Sequence, residues 1–151
     1  GLPGETGDDV LAIAALSQEM AGWSGAKVTV SVGPFVPKTH TPFQRQAMLD
    51  KETLQERLQS LRHACRQAGL GYRAEGPEWA AVQGVLARGD RRLAAVLLGM
   101  KANTLAEWAR SLAEEGLDAQ EYLRAREVAE PLPWQHIRAS ASTSTSTSTS
   151  N

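Results

Sequence analysis

"AKVTVSV", residues 26–32, alternates three valines with small polar residues. A period of two is typical of a short β-strand with one buried face. Apolar residues recur at helical spacing before it, to about Gly22, and after it over residues 44–68. Helix, strand and long helix in this order predict a parallel β/α unit. The expected fold class is therefore α/β.

The segment that leads into the first helix is "GLPGETGDD", residues 1–9. Thr6 is the predicted N-cap, and Asp8 and Asp9 place negative charge at the positive end of the helix dipole. Such a turn normally follows a strand. With "LGYRA" at 70–74 as the second strand, only two strands are expected, too few for a stable parallel sheet buried on both faces. The front half is thus expected to be the end of a larger α/β structure.

The rest of the chain is predicted to be helical, with glycines at the helix ends. Four helices are expected, at 78–87, 91–100, 104–114 and 118–127. The chain is expected to have three parts. Residues 1–69 hold the turn, the last strand and the long helix, and residues 70–138 form a helical C-terminal domain. Residues 139–151, "ASASTSTSTSTSN", are expected to be a disordered Ser/Thr tail, since they include no large apolar residue. The expected core of the helical domain comprises Trp79, Leu93, Val96, Leu97, Trp108 and Trp134.

Composition restricts the function classes. The formal net charge of −1 gives no support for bulk attraction to nucleic acid or anionic membrane. The sequence has no apolar run near the roughly 20 residues that span a bilayer. Its single cysteine, Cys65, excludes an internal disulfide and a multi-cysteine metal site within this chain. A cytoplasmic location is the expectation.

Two loops carry a family resemblance. "GLPGET" with its acidic first turn, followed by a strand leading into "FVPKTHTPFQ", resembles radical S-adenosylmethionine enzymes, in particular a bacterial group with a cobalamin-binding-like N-terminal domain. The resemblance continues through "WAAVQGVLARGDRRLAAVL", "GLDAQEYLRAR" and "EPLPWQHI", and so covers residues 1–137. Thr39 departs from it, standing where the family pattern has proline.

The resemblance implies the last strand–helix units of a partial (β/α) TIM-type barrel, followed by the mostly helical domain. In this family three cysteines bind an iron–sulfur cluster, which cleaves S-adenosylmethionine to a radical that abstracts hydrogen from the substrate. The cluster cysteines are absent here. The chain is therefore expected to be a C-terminal fragment, inactive alone and binding neither cofactor alone, with the missing N-terminal barrel portion as its partner. Substrate and use of cobalamin stay open.

The candidate site residues lie on the two loops. By resemblance, Gly1, Leu2, Pro3, Gly4 and Glu5 lie near the bound nucleoside; the glycines also permit close approach of a ligand to the backbone. The second loop, stiffened by prolines, carries Val36, Pro37, Lys38, His40 and Thr41 as candidate contacts to substrate or cofactor. A rigid connection between barrel and helix is the alternative for that loop. His40 has no visible carboxylate partner for a role as general base.

An alternative function belongs to another class. Arg88, Arg91 and Arg92 lie within five positions and are candidates for RNA binding by an independent helical interaction module. The opposing interpretation of the same residues is a helix boundary, with Gly89 ending one helix and Asp90 capping the next.

Overall fold

A computed structural model describes residues 1–137. The predicted tail at 139–151 lies outside the described residues. The elements in chain order are α1 (Gly7–Ser24), β1 (Thr29–Val32), α2 (Lys51–Gln67), β2 (Gly71–Ala74), α3 (Pro77–Arg88), α4 (Leu93–Gly99), α5 (Leu105–Glu114) and α6 (Ala119–Leu123).

The two strands are parallel neighbours. Their register pairs Thr29 with Gly71 and Val32 with Ala74, and α2 connects them. Helices α1 and α2 pack on each other, and a small core forms between them and the strands. It is built from Val10, Ala14, Val30, Leu61 and Cys65. The α/β class is confirmed by this arrangement, in which most of the described residues outside loops are helical.

The start of α1 forms as predicted. Thr6 Oγ1 accepts from the Asp9 backbone N–H at 3.3 Å, and Asp9 Oδ2 accepts from the Thr6 backbone N–H at 2.8 Å. This reciprocal pair is a capping box with aspartate in the usual glutamate position. The hydrogen bonds to Thr6 hold the pKa of the Asp9 carboxyl below its usual range. The helix ends at Ser24, two residues beyond the predicted Gly22.

The long helix α2 begins at Lys51, so its predicted start at 44 is wrong. Asp50 is the N-cap, and its Oδ1 accepts from the Thr53 backbone N–H at 2.7 Å. Residues 44–50 instead form hydrogen bonds with the far end of the chain. Met48 N–H donates to the Leu123 carbonyl, and Arg126 N–H donates to the Arg45 carbonyl, both at 2.9 Å.

That second bond also limits α6. The helix ends at Leu123 rather than at the predicted residue 127, since Arg126 N–H is directed to Arg45 and not to its own helix. Strand β1 is likewise shorter than predicted and begins at Thr29. Strand β2 and helices α3 to α5 lie within two residues of the predicted bounds.

A second, larger core lies among α3 to α6 and includes Met48 and Leu54. Leu93, Val96, Trp108 and Trp134 are buried, as predicted. Trp79 and Leu97 are not: they are 41% and 50% exposed, which corrects their assignment to the core. The division at residue 70 stays a prediction. No helix within residues 1–137 has the length and apolarity needed to cross a bilayer.

Candidate functional site

A cavity of about 250 Å³ lies where the first turn of the chain approaches the end of β1. Because Val32 is the last residue of the strand, the cavity is at its carboxyl end. The lining is mostly apolar and comes from three segments: the opening turn with the start of α1, the residues after β1, and one face of α2. These residues are Gly1, Leu2, Glu5, Val10, Ile13, Val32, Gly33, Pro34, Phe35, Leu54, Arg57, Leu58 and Leu61.

One ion pair provides the polar part of this lining. Arg57 Nη1 donates to Glu5 Oε2 at 2.8 Å, and Nη2 donates to the Glu5 carbonyl at 3.0 Å. The Gly1 nitrogen also donates to Glu5 Oε2. Both side chains of the ion pair are largely buried, with 17% of Glu5 and 23% of Arg57 exposed. The pair therefore connects the opening turn to α2 and fixes the orientation of the carboxylate.

The opening turn is only partly directed at the cavity. Gly1, Leu2 and Glu5 line it, whereas Pro3 and Gly4 are exposed and lie outside the lining. The Glu5 N–H donates to the Leu2 carbonyl at 3.0 Å, which closes the turn. Gly4 has φ 84°, a left-handed conformation that explains a glycine at this position.

The second candidate loop lies away from the cavity lining. Pro37 is fully buried, and Val36 packs against the larger core. Lys38 and His40 are exposed, and Thr41 Oγ1 donates to the Lys38 carbonyl at 2.7 Å. The structure thus does not bring these five residues together with the opening turn.

The backbone of this loop is held by one glutamine. His40 has φ 58°, and its N–H donates to Gln44 Oε1 at 3.2 Å. The same oxygen accepts from Trp134 Nε1 at 2.8 Å. Arg45 Nη1 donates to the Glu130 carbonyl at 3.0 Å. These contacts favour the interpretation of the loop as a rigid connection between β1 and α2, held against the C-terminal segment.

The residues that sequence reasoning missed are those directly after β1, above all Phe35, and Arg57 on α2. Phe35 stands between two prolines, inside the second candidate loop, but was not itself named as a candidate. Arg57 belongs to no motif that would mark it as a site residue. Their position was accessible from one rule: ligands of parallel α/β sheets bind at the carboxyl ends of the strands.

A metal site is not formed by the described part of the chain. Residues 1–137 contain no group of three or more His, Cys, Asp or Glu side chains placed to hold a metal ion. Cys65 is fully buried in the smaller core, and burial raises the pKa of its thiol. It packs as an apolar residue, as predicted.

The arginine cluster at 88–92 is divided by the fold. Arg88 is fully buried and donates to the carbonyls of Gln46 and Arg124, each at 2.8 Å. Burial, with the nearby charges of Arg126 and Arg124, lowers the pKa of Arg88 to about 10. Arg92 pairs with Asp90 at 2.8 Å. Arg88 therefore cannot contact RNA in this fold, which corrects its assignment to an RNA-binding surface.

Comparisons of the chain with models of protein families, with curated proteins and with solved structures found no match.

Proposed function

We propose that this chain is the C-terminal part of a radical S-adenosylmethionine enzyme that acts in the cytoplasm. In this proposal α1, β1, α2 and β2 are the last units of a partial (β/α) barrel, and α3 to α6 form an accessory helical domain. The chain contributes one wall of the S-adenosylmethionine site and is inactive alone. The iron–sulfur cluster belongs to the missing N-terminal barrel portion.

The observation that carries the proposal is the position of the cavity. It lies at the carboxyl end of β1 and at the N-terminal end of α1, and barrel enzymes place their active sites at that end of the strands. The opening turn and the segment after β1, the two regions of the family resemblance, meet there through Leu2 and Phe35. A turn before α1 would follow a strand whose carboxyl end faces the same cavity.

The sheet supports the same interpretation. Within residues 1–137 β1 pairs with β2 alone, so its second edge has no strand partner in this region. A strand feeding the opening turn would pair there in parallel, with α1 as the crossover helix, as α2 is between β1 and β2. β1 also contains no charged residue or proline of the kind that protects a permanent edge.

The cavity suits part of the cofactor but not the cluster. About 250 Å³ is below the roughly 300–1,000 Å³ of complete ligand pockets, so it would hold only one portion of S-adenosylmethionine. The apolar side chains of Leu2 and Phe35 fit a nucleoside face, and Glu5 adds a carboxylate. The described residues do not fit an iron–sulfur cluster, because their single cysteine is buried within α2.

Phe35→Ala tests this wall in the protein encoded by the complete reading frame. Stacking of a base on an aromatic ring contributes about 1–3 kcal/mol, so we expect the KM for S-adenosylmethionine to rise about tenfold or more. The iron content should stay unchanged. The measurement is formation of 5′-deoxyadenosine as a function of S-adenosylmethionine concentration.

Phe43→Ala is the matched control. Phe43 packs edge-to-face on Phe35, with ring centroids 5.4 Å apart, but lies outside the cavity lining. The KM of the Phe43→Ala variant for S-adenosylmethionine should change less than about twofold, as expected for a surface substitution. Equal effects of both variants would assign the change to ring packing and contradict a cofactor wall at Phe35.

A further inference from the structure

A second groove, of about 490 Å³, runs along the other half of α2 beside the start of β2. Its lining is Gln59, Arg62, His63, Arg66, Leu70 and Tyr72. The four α2 positions follow the spacing i, i+3, i+4 and i+7, so they form one stripe of the helix. None of these residues lines the cavity at the carboxyl end of β1. The groove is therefore a separate feature of the fold.

The groove is cationic and its guanidinium groups are available. Within residues 1–137 the ion pairs of arginine involve Arg57, Arg92, Arg110, Arg124 and Arg126, but neither Arg62 nor Arg66. No carboxylate is part of the lining. Two arginines one helical turn apart and a histidine between them thus face the same space without an anionic partner from the described chain.

The lining of the groove includes one fixed aromatic ring. Tyr72 Oη donates to the Leu58 carbonyl at 3.0 Å, which holds the half-buried ring in place. Burial raises the pKa of Tyr72, and the nearby Arg62 guanidinium opposes that shift. Arg62 and Tyr72 thus line the same groove.

We propose that this groove binds a phosphate-bearing small molecule between Arg62 and Arg66. Guanidinium groups match the oxygen geometry of phosphate through paired N–H donors, and two of them balance a dianion. The ring of Tyr72 offers a flat surface to an attached base. A nucleic acid is a poorer match. Proteins that bind nucleic acid contact about 6–10 phosphates, whereas this cationic stripe covers only two helical turns.

Titration of the full chain by calorimetry tests the proposal. The ligands are adenosine monophosphate, pyrophosphate, adenosine and a short single-stranded RNA. Both phosphates should bind and adenosine should not. If adenosine monophosphate binds more tightly than pyrophosphate, the ligand is a nucleotide. If the two bind equally, the groove recognises phosphate alone. Arg62→Gln and Arg66→Gln should each weaken binding about fivefold to tenfold, as expected for a charge-assisted contact.

Arg73→Gln is the control, since Arg73 is exposed on β2, carries the same charge and lies outside the groove. It should change binding less than about twofold. Four outcomes would overturn the proposal: no binding of either phosphate, binding of adenosine as tight as that of its monophosphate, an equal loss in Arg73→Gln, or much tighter binding of single-stranded RNA. The test does not involve S-adenosylmethionine, so its failure would leave the proposed function intact.

Discussion

Arg88→Ala is expected to lower the free energy of unfolding by about 3–5 kcal/mol, because two carbonyls each lose a charged hydrogen-bond donor, at about 1–3 kcal/mol apiece, and a large buried side chain is removed. The guanidinium bridges the carbonyls of Gln46 and Arg124, which belong to the loop before α2 and the segment after α6. Without it both carbonyls lose a hydrogen-bond donor, and a cavity forms where the Arg88 side chain was. Urea unfolding followed by circular dichroism measures the change. Arg88→Met fills more of the volume and should still lose most of this stability.

Arg91→Ala is the matched control, since Arg91 is exposed and close in sequence. Its stability should stay within about 0.5 kcal/mol of the parent chain. A loss in Arg88→Ala no greater than in Arg91→Ala would mean that Arg88 is not buried between the two segments. The RNA-binding interpretation of the arginine cluster would then be open again.

Trp134→Ala is expected to cost about 3–5 kcal/mol, in the range of large aromatic side chains removed from a core. Trp134 is 5% exposed, and its indole Nε1 donates to Gln44 Oε1. The Arg126 guanidinium lies over its ring, 5.4 Å from the centroid. The substitution therefore removes apolar burial together with a contact that joins the loop before α2 to the C-terminal segment. Its unfolding midpoint in urea should fall accordingly.

Trp23→Ala is the control for this experiment, because Trp23 is 78% exposed on α1. It should change the free energy of unfolding by no more than about 0.5 kcal/mol. Similar losses in the two variants would show that the C-terminal segment is not anchored through Trp134.

The local signals of the sequence predicted the helix starts to within two residues, with α2 as the exception. Thr6 caps α1 as expected, since capping depends on side chains within three residues. Asp90 is not the cap of α4: its Oδ1 accepts from the Arg92 N–H, and Arg92 occupies the N-cap position. The start of α2 could not be predicted in the same way. Its helical pattern extends back to residue 44, but Met48 and Arg45 bond to residues some 75 to 81 positions away.

The candidate site was predictable only in part, for the same reason. The opening turn was a candidate through its family resemblance, and Gly1, Leu2 and Glu5 do line the cavity. The second loop was chosen for its polar side chains, yet the residues of that region that reach the cavity are Pro34 and Phe35. Which end of a loop faces a cavity depends on the tertiary fold, and so does the approach of Arg57 to Glu5.

The most direct test of the proposed function is the iron content after anaerobic reconstitution, measured for two proteins in parallel. One is the 151-residue chain, and the other is the product of the complete reading frame that contains it. We predict no stoichiometric iron in the 151-residue chain. The longer protein should hold one four-iron cluster and, with dithionite as the electron donor, cleave S-adenosylmethionine reductively to methionine and 5′-deoxyadenosine. A cluster on the 151-residue chain alone, or a complete frame without a preceding strand and three-cysteine loop, would contradict the proposal.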